Sequence, residues 1–156
     1  MSSQTSLHEF CEAILEKDSS IRFAGLANKY GKLIGAAYRK ALEPLMNPEE
    51  TEHYTIQTVL RASTRETFQS KIGKQLFAIA VYEKLIRATI PIITDRDNDN
   101  NKEKVTQEQK RGHKEQNSRL YLLISFDLGS EVISIIEDKV LPQVTKDKNL
   151  LLSLIS

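Results

Sequence analysis

The residues with most chemical promise are Asp97, Asp99, Asn101 and Glu108, whose spacing matches positions 1, 3, 5 and 12 of a calcium-binding EF-hand loop. Carboxylates so spaced would wrap a hard cation. Yet Lys102 stands where the loop needs Gly for its sharp turn, and Lys104 stands where an apolar residue is expected. No amphipathic helices flank the stretch, so a solvated charge run explains it better than a metal loop. His8, His53 and His113 are scattered, without an HExxH pattern or a Cys/His pair to hold zinc. Glu12 and Glu16 are one helical turn apart but face away from an apolar stripe, so paired-carboxylate catalysis is not expected. Arg61 and Arg65, also one turn apart, would suit a phosphate clamp, though an interface or solvated role fits them better. Gly31 and Gly35 open no phosphate loop, and Lys74 after Gly73 is followed by Gln75 in place of Ser or Thr. No Ser stands in a G-x-S-x-G elbow. The single Cys11 sits inside an apolar stripe, where a thiol behaves as a small hydrophobe. The expectation is a protein with no catalytic residues, no metal and no cofactor.

The bulk properties agree with that reading. Hydrophobic residues make up 40% and charged residues 28% of the 156 positions, enough for one domain with a real core. Lys and Arg total 22 against 21 Asp and Glu, a formal charge of +1. Binding to nucleic acid or to an anionic membrane through net charge is therefore not expected. No apolar run reaches the roughly 18 residues that span a bilayer. The start of the chain is polar without a basic segment leading into an apolar one. A cytoplasmic location is expected.

The elements follow from periodicity. Ser6 and Glu9 have capping-box spacing, and Leu7, Phe10, Cys11, Ile14 and Leu15 fall on one helical face behind them. Then "IRFAGLANKYGKLIGAAYR" (21–39) reads as a hairpin, turned at Asn28-Lys29-Tyr30-Gly31. Asn47-Pro48-Glu49-Glu50 starts a second helix, expected to run to about Ile72 and stop at Gly73. "QLFAIAVYE" (75–83), "LIRATIPII" (85–93) and "RLYLLISFD" (119–127) are three further strands. Between the last two, 95–118 holds one aliphatic residue, Val105, among balanced charges, and is expected to be a disordered or mobile insertion in a single domain. Ser130 should cap a last helix to about Val140, with Val132, Ile133, Ile136 and Val140 inward and Pro142 ending or kinking it. After a Lys-Asp-Lys linker, the apolar tail at 150–155 either folds back or docks on a partner, a second copy included.

The order is α-β-β-α-β-β-β-α: an α+β fold, an α/β sandwich with a five-stranded antiparallel sheet covered by helices on both faces. In the first strand Ile21, Phe23, Gly25 and Ala27 share one face; in the fifth, Leu120, Leu122, Ile124 and Phe126 oppose Tyr121 and Leu123. Strands apolar on both faces belong in the middle of a covered sheet. Small residues at Ala24, Gly25, Gly35, Ala36, Ala37, Ala78 and Ala80 should let helices lie close.

This order, with the hairpin "FAGLANKYGKLIGAAY", resembles the roadblock family of dynein light-chain-like and GTPase-regulating proteins. It is also similar to archaeal proteins with an "IRFAG...N..GKLI" opening. The roadblock resemblance implies a profilin-like layout, strand order 2-1-5-4-3, and a homodimer in which edge strands pair and central helices pack against each other. It implies a small GTPase or another protein as partner. The third strand would be that edge, with Leu76, Phe77, Ile79 and Val81. On the central helix Ile56, Val59, Leu60 and Ser63 should face the sheet, leaving Tyr54, Arg61, Arg65, Phe68 and Ile72 as a second stripe opposite, rich in types found at interfaces. The expected function is a non-enzymatic interaction or regulatory module. The competing one is a small-molecule sensor of PAS or profilin shape, with a ligand between helix and sheet.

Overall fold

The apolar stripe near the start of the chain becomes α1 (Ser3–Leu15), which buries Leu7, Phe10, Cys11 and Ile14. It begins before Ser6, because no Gly or Pro at 3–5 stops it, so Ser6 and Glu9 lie inside the helix and do not cap it. In the computed structural model residues 3–93 and 119–155 are described; the 95–118 segment, with its EF-hand-like residues and His113, lies outside them.

The hairpin forms as expected from β1 (Ile21–Asn28) and β2 (Leu33–Tyr38), with Gly31 at φ +85° in the turn. A bulge between Ile21 and Phe23 moves Ile21 to the opposite face from Phe23, which simple alternation does not anticipate. Next, α2 (Pro48–Arg65) opens on a reciprocal cap: Asn47 Oδ1 accepts from the Glu50 N–H at 2.8 Å, and Glu50 Oε1 accepts from the Asn47 N–H at 3.0 Å. A tight turn (Glu66–Phe68) and α3 (Gln69–Ile72) carry the chain to Gly73, whose φ of +89° ends the helical run where expected.

The remaining strands are β3 (Ala78–Val81), β4 (Ile86–Ile93) and β5 (Arg119–Phe126). All pairs are antiparallel, in the order β2-β1-β5-β4-β3. Strand β3 is shorter than the 75–83 run suggests, and Pro91 gives the reason. Tyr82 N–H donates to the Leu85 carbonyl at 2.9 Å, which fixes residues 85, 87 and 89 of β4 as those bonding toward β3. The next in that series is Pro91, which has no N–H, so the ladder stops at Ala78 and leaves Leu76 and Phe77 outside the strand.

The chain ends in one helical run: α4 (Val132–Ile135), a π-helical stretch (Ile136–Val140) and α5 (Leu141–Ser153). Pro142 therefore does not end the helix; the π stretch just before it shifts the carbonyls with which its ring would clash. Ser130 is not the cap either, since its hydroxyl donates to the Asp127 carbonyl and the helix starts two residues later. That start turns Ile135 inward and leaves Ile133 exposed, against expectation. The Lys-Asp-Lys linker is helical, and the tail folds back: Leu151 and Leu152 are buried, with Leu154 and Ile155 against the same core.

Two cores result. On one face α1 and the C-terminal helical run cover Ala24, Leu26, Ile90, Ile92, Leu122, Ile124 and Phe126. On the other, α2 covers Phe23, Ala27, Tyr121 and Leu123. Close approach is real at Gly35, where a Cβ would stand 3.1 Å from Leu7 Cβ and 3.2 Å from the Leu7 carbonyl carbon. Gly35→Val should lower unfolding stability by about 2 kcal/mol through overpacking, read from the urea midpoint; an unchanged midpoint would remove close packing as the reason for that glycine. Gly25 serves another purpose, since a Cβ there would collide with the Phe23 ring of its own strand at 2.6 Å.

Ion pairs tie the ends of these elements together. Arg39 grips Asp127 with both guanidinium nitrogens, at 2.7 and 3.1 Å, and Arg22 adds a third bond at 3.1 Å. These partners, Arg39 first, hold the Asp127 carboxyl below its ordinary value. Asp18 accepts from the Ser20 hydroxyl and N–H and from Lys139, and its carboxyl falls to about 2. The unfolded chain binds that proton more readily. The stabilisation is complete above the ordinary value of 3.8 and disappears as the pH falls toward 2. Asp18→Asn should thus melt below the parent at pH 7, with the gap closing at about pH 2; a gap independent of pH would contradict this.

Candidate protein interface

Interface candidates are set by how α2 sits on the sheet. Its buried residues are Thr55, Thr58, Val59 and Ala62, whereas Ile56 and Leu60 are exposed, and Ser63 with them. The expected inner face was therefore wrong by a fraction of a turn. The cause is the threonines: Thr55 and Thr58 hydroxyls donate back to the carbonyls of Thr51 and Tyr54, at 2.7 and 2.9 Å, so polar residues pack without an unmet bond. Ile56 is held at the hairpin side, where Gly31 lies so near that a Cβ would stand 2.7 Å from Ile56 Cα.

That rotation brings Tyr54 and Arg61 to the flank of α2 that looks toward β3, not to the side opposite the sheet. Tyr54 is half-buried: its ring lies 4.1 Å from the Arg87 guanidinium and 5.7 Å from that of Arg61, and its hydroxyl meets the Tyr82 hydroxyl at 3.2 Å. Burial, then the Tyr82 bond, lifts the Tyr54 phenol above its ordinary value. Arg61 also donates to Thr58 Oγ1 at 3.3 Å. Arg65 continues the same stripe four residues on and is exposed.

Beyond it, Glu66 is anchored by the Tyr121 hydroxyl at 3.0 Å and by Arg119. The chain then leaves Phe68 64% and Ile72 82% exposed. Leu76 and Val81 are exposed by 69% and 72%, on either side of a β3 that is the outermost strand. Phe77 and Ile79, also expected at the interface, lean instead on the core beneath α1 and the C-terminal run. The sheet face toward α2 is floored at this edge by Ala78 and Ala80, the latter paired with Arg87.

Tyr54, Arg61 and Arg65 thus share the flank of α2 toward β3. Phe68, Ile72 and Leu76 are exposed on the segment leading into that strand, and Val81 ends it on the face of Ile79, while Phe77 and Ile79 attach the strand to the core. Tyr82, Arg87 and Glu66 belong to the site and were missed. A tight turn at Glu83-Lys84 already pairs Ala80 with Arg87, so Arg87 was recoverable from register alone. At the opposite edge His8 Nδ1 bonds the Ala36 carbonyl of β2 at 2.8 Å, with Glu12 on its other nitrogen at 2.6 Å.

Of the other candidate residues, the EF-hand-like set and His113 lie outside the described residues. Among the described residues no group of three or more His, Cys, Asp or Glu side chains is placed to hold a metal ion. Cys11 is buried, which pushes its thiol up to about 12. Among the described residues no helix is long and apolar enough to cross a membrane. A small cavity between sheet and the 39–47 connection, lined by Phe23, Tyr38, Leu85 and Arg87, measures about 30 Å³.

No protein-family model matches the chain. No curated protein matches it either. Among solved structures, the gliding protein MglB of Thermus thermophilus superposes with a TM-score of 0.63 at 11% identity, covering 99% of this chain and 91% of that one. MglB in a tetrameric arrangement gives 0.64 at 10% identity, with 99% and 90% covered. A Roadblock/LC7 domain from Streptomyces avermitilis gives 0.59 at 7% identity, with 93% and 97% covered. Identities this low speak for architecture alone, and the chain has the Roadblock/LC7 fold.

Proposed function

We propose that the chain is a non-enzymatic, regulatory protein-interaction module that works as a homodimer joined along β3 and the neighbouring flank of α2. The observation that carries this is the open β3 edge: four large apolar side chains, Phe68, Ile72, Leu76 and Val81, stand in water beside it. A similar MglB structure is itself a multi-copy assembly, which supports self-association. The roadblock resemblance makes a small GTPase or another protein the partner of the dimer. Against the sensor reading, the space between α2 and the sheet is closed by Val59, Ala62, Tyr121 and Leu123.

Sedimentation equilibrium tests the proposal. A dimer mass is expected at micromolar concentration, and a monomer throughout the range would overturn it. A thermal-shift screen against nucleotides and metabolites separates the readings: large stabilisation by one compound would favour the sensor.

A further inference from the structure

We infer that two copies are held in one register by an ion pair between Glu50 of each chain and Arg61 of its partner. This rests on the dimer reading above. Glu50, Tyr54 and Arg61 stand at i, i+4 and i+11 on α2. Eleven residues make about three turns, so all three share the flank toward β3.

The level of α2 along the sheet is fixed at two points. Near its start, Tyr54 lies over Arg87, the partner of Ala80 on β3. At its end, Glu66 meets Arg119, the partner of Ile93. From Arg87 to Ile93 is about 20 Å of strand, and from Tyr54 to Glu66 about 18 Å of helix, so the levels agree along its length. Helix α2 therefore runs antiparallel to β3.

If β3 pairs antiparallel with its copy, opposed residues share a sheet face and bond away from β4, so the two-fold axis passes through such a residue at the strand's middle, Ile79. Ile79 stands one strand residue, about 3.3 Å, beyond Ala80, so on α2 that level falls about two residues past Tyr54, at Ile56. Residues about equally far on either side come opposite each other across the axis, and Glu50 and Arg61, six and five residues from Ile56, are such a pair within about 1.5 Å. Each copy thus offers a carboxylate to its partner's guanidinium, twice per dimer. Ala78 and Ala80 are too short to obstruct the approach. Among the described residues Arg61 has no carboxylate partner within its own chain, and Glu50 uses only Oε1 for its cap, leaving Oε2 to accept.

The test uses Glu50→Arg and Arg61→Glu in the full chain. Each variant alone faces two like-charged pairs, and its dimer Kd should rise at least about tenfold. Mixed in equal amounts, the two should form a heterodimer in which both pairs are restored, seen as the mixed mass by native mass spectrometry. The helix cap lost in Glu50→Arg lies within one chain and mixing cannot restore it. Glu50→Gln keeps the cap, since Gln also serves in a capping box, and should still weaken the dimer. If the variants dimerise like the parent, or do not combine when mixed, the register is wrong and the dimer stands. A parent chain that is always monomeric removes both.

Discussion

Truncation after Thr145 should leave a chain without a cooperative unfolding transition. The removed segment carries Leu151 and Leu152, 1% and 6% exposed, in the larger core with Ile136, Val140 and Phe126. Losing a buried leucine costs about 2–5 kcal/mol, so two remove most of a stability of about 5–15 kcal/mol. Circular dichroism during urea titration would show a broad, early transition. A truncated chain that unfolds sharply near the parent midpoint would mean that the tail is an attachment and not part of the domain.

Val81→Pro should raise the dimer Kd by about 100-fold while the monomer stays folded. The hydrogen-bonded pairs of β3 and β4 are Tyr82–Leu85, Ala80–Arg87 and Ala78–Thr89, so the Val81 N–H points away from β4, toward whatever pairs with the edge. Proline there breaks no bond within the chain. It removes an outward donor and sets a ring against the approaching strand, about 3 kcal/mol, or two decades in Kd. Sedimentation equilibrium of both proteins at matched concentrations reads the change. An unaltered Kd would show that copies associate elsewhere, and Phe68 and Ile72 would be the place to look.

What could be read from residue order, and what could not, divides along physical lines. Strands β1 and β5 announced themselves as central because both their faces are apolar, and Asn47-Pro48-Glu49-Glu50 announced a helix through its own reciprocal bonds. Neither depends on distant parts of the chain. The inner face of α2 was misread because threonine counts as polar, although a back-bonded Thr55 or Thr58 packs like a small aliphatic residue. The span of β3 was misread because its limit lies in another strand, at Pro91. The side of α2 that carries Tyr54 and Arg61 depends on that same rotation, so these residues were named but placed opposite the sheet, whereas Arg87 and Tyr82 complete their surroundings only once β3 and β4 are paired. The C-terminal run defied its proline through a π-helical detour that periodicity does not foretell.

The His8 bond to the Ala36 carbonyl has a consequence for how far assembly can go. Among the described residues, α1 is laid along β2 with a ring nitrogen on that rim, so β3 is the margin left to recruit a strand. Growth that consumes a molecule's sole sticky border stops after a single addition. A chain with both borders bare would instead add copies without end, the route to filaments and cross-β fibres. One imidazole therefore helps separate a finite pair from a polymer.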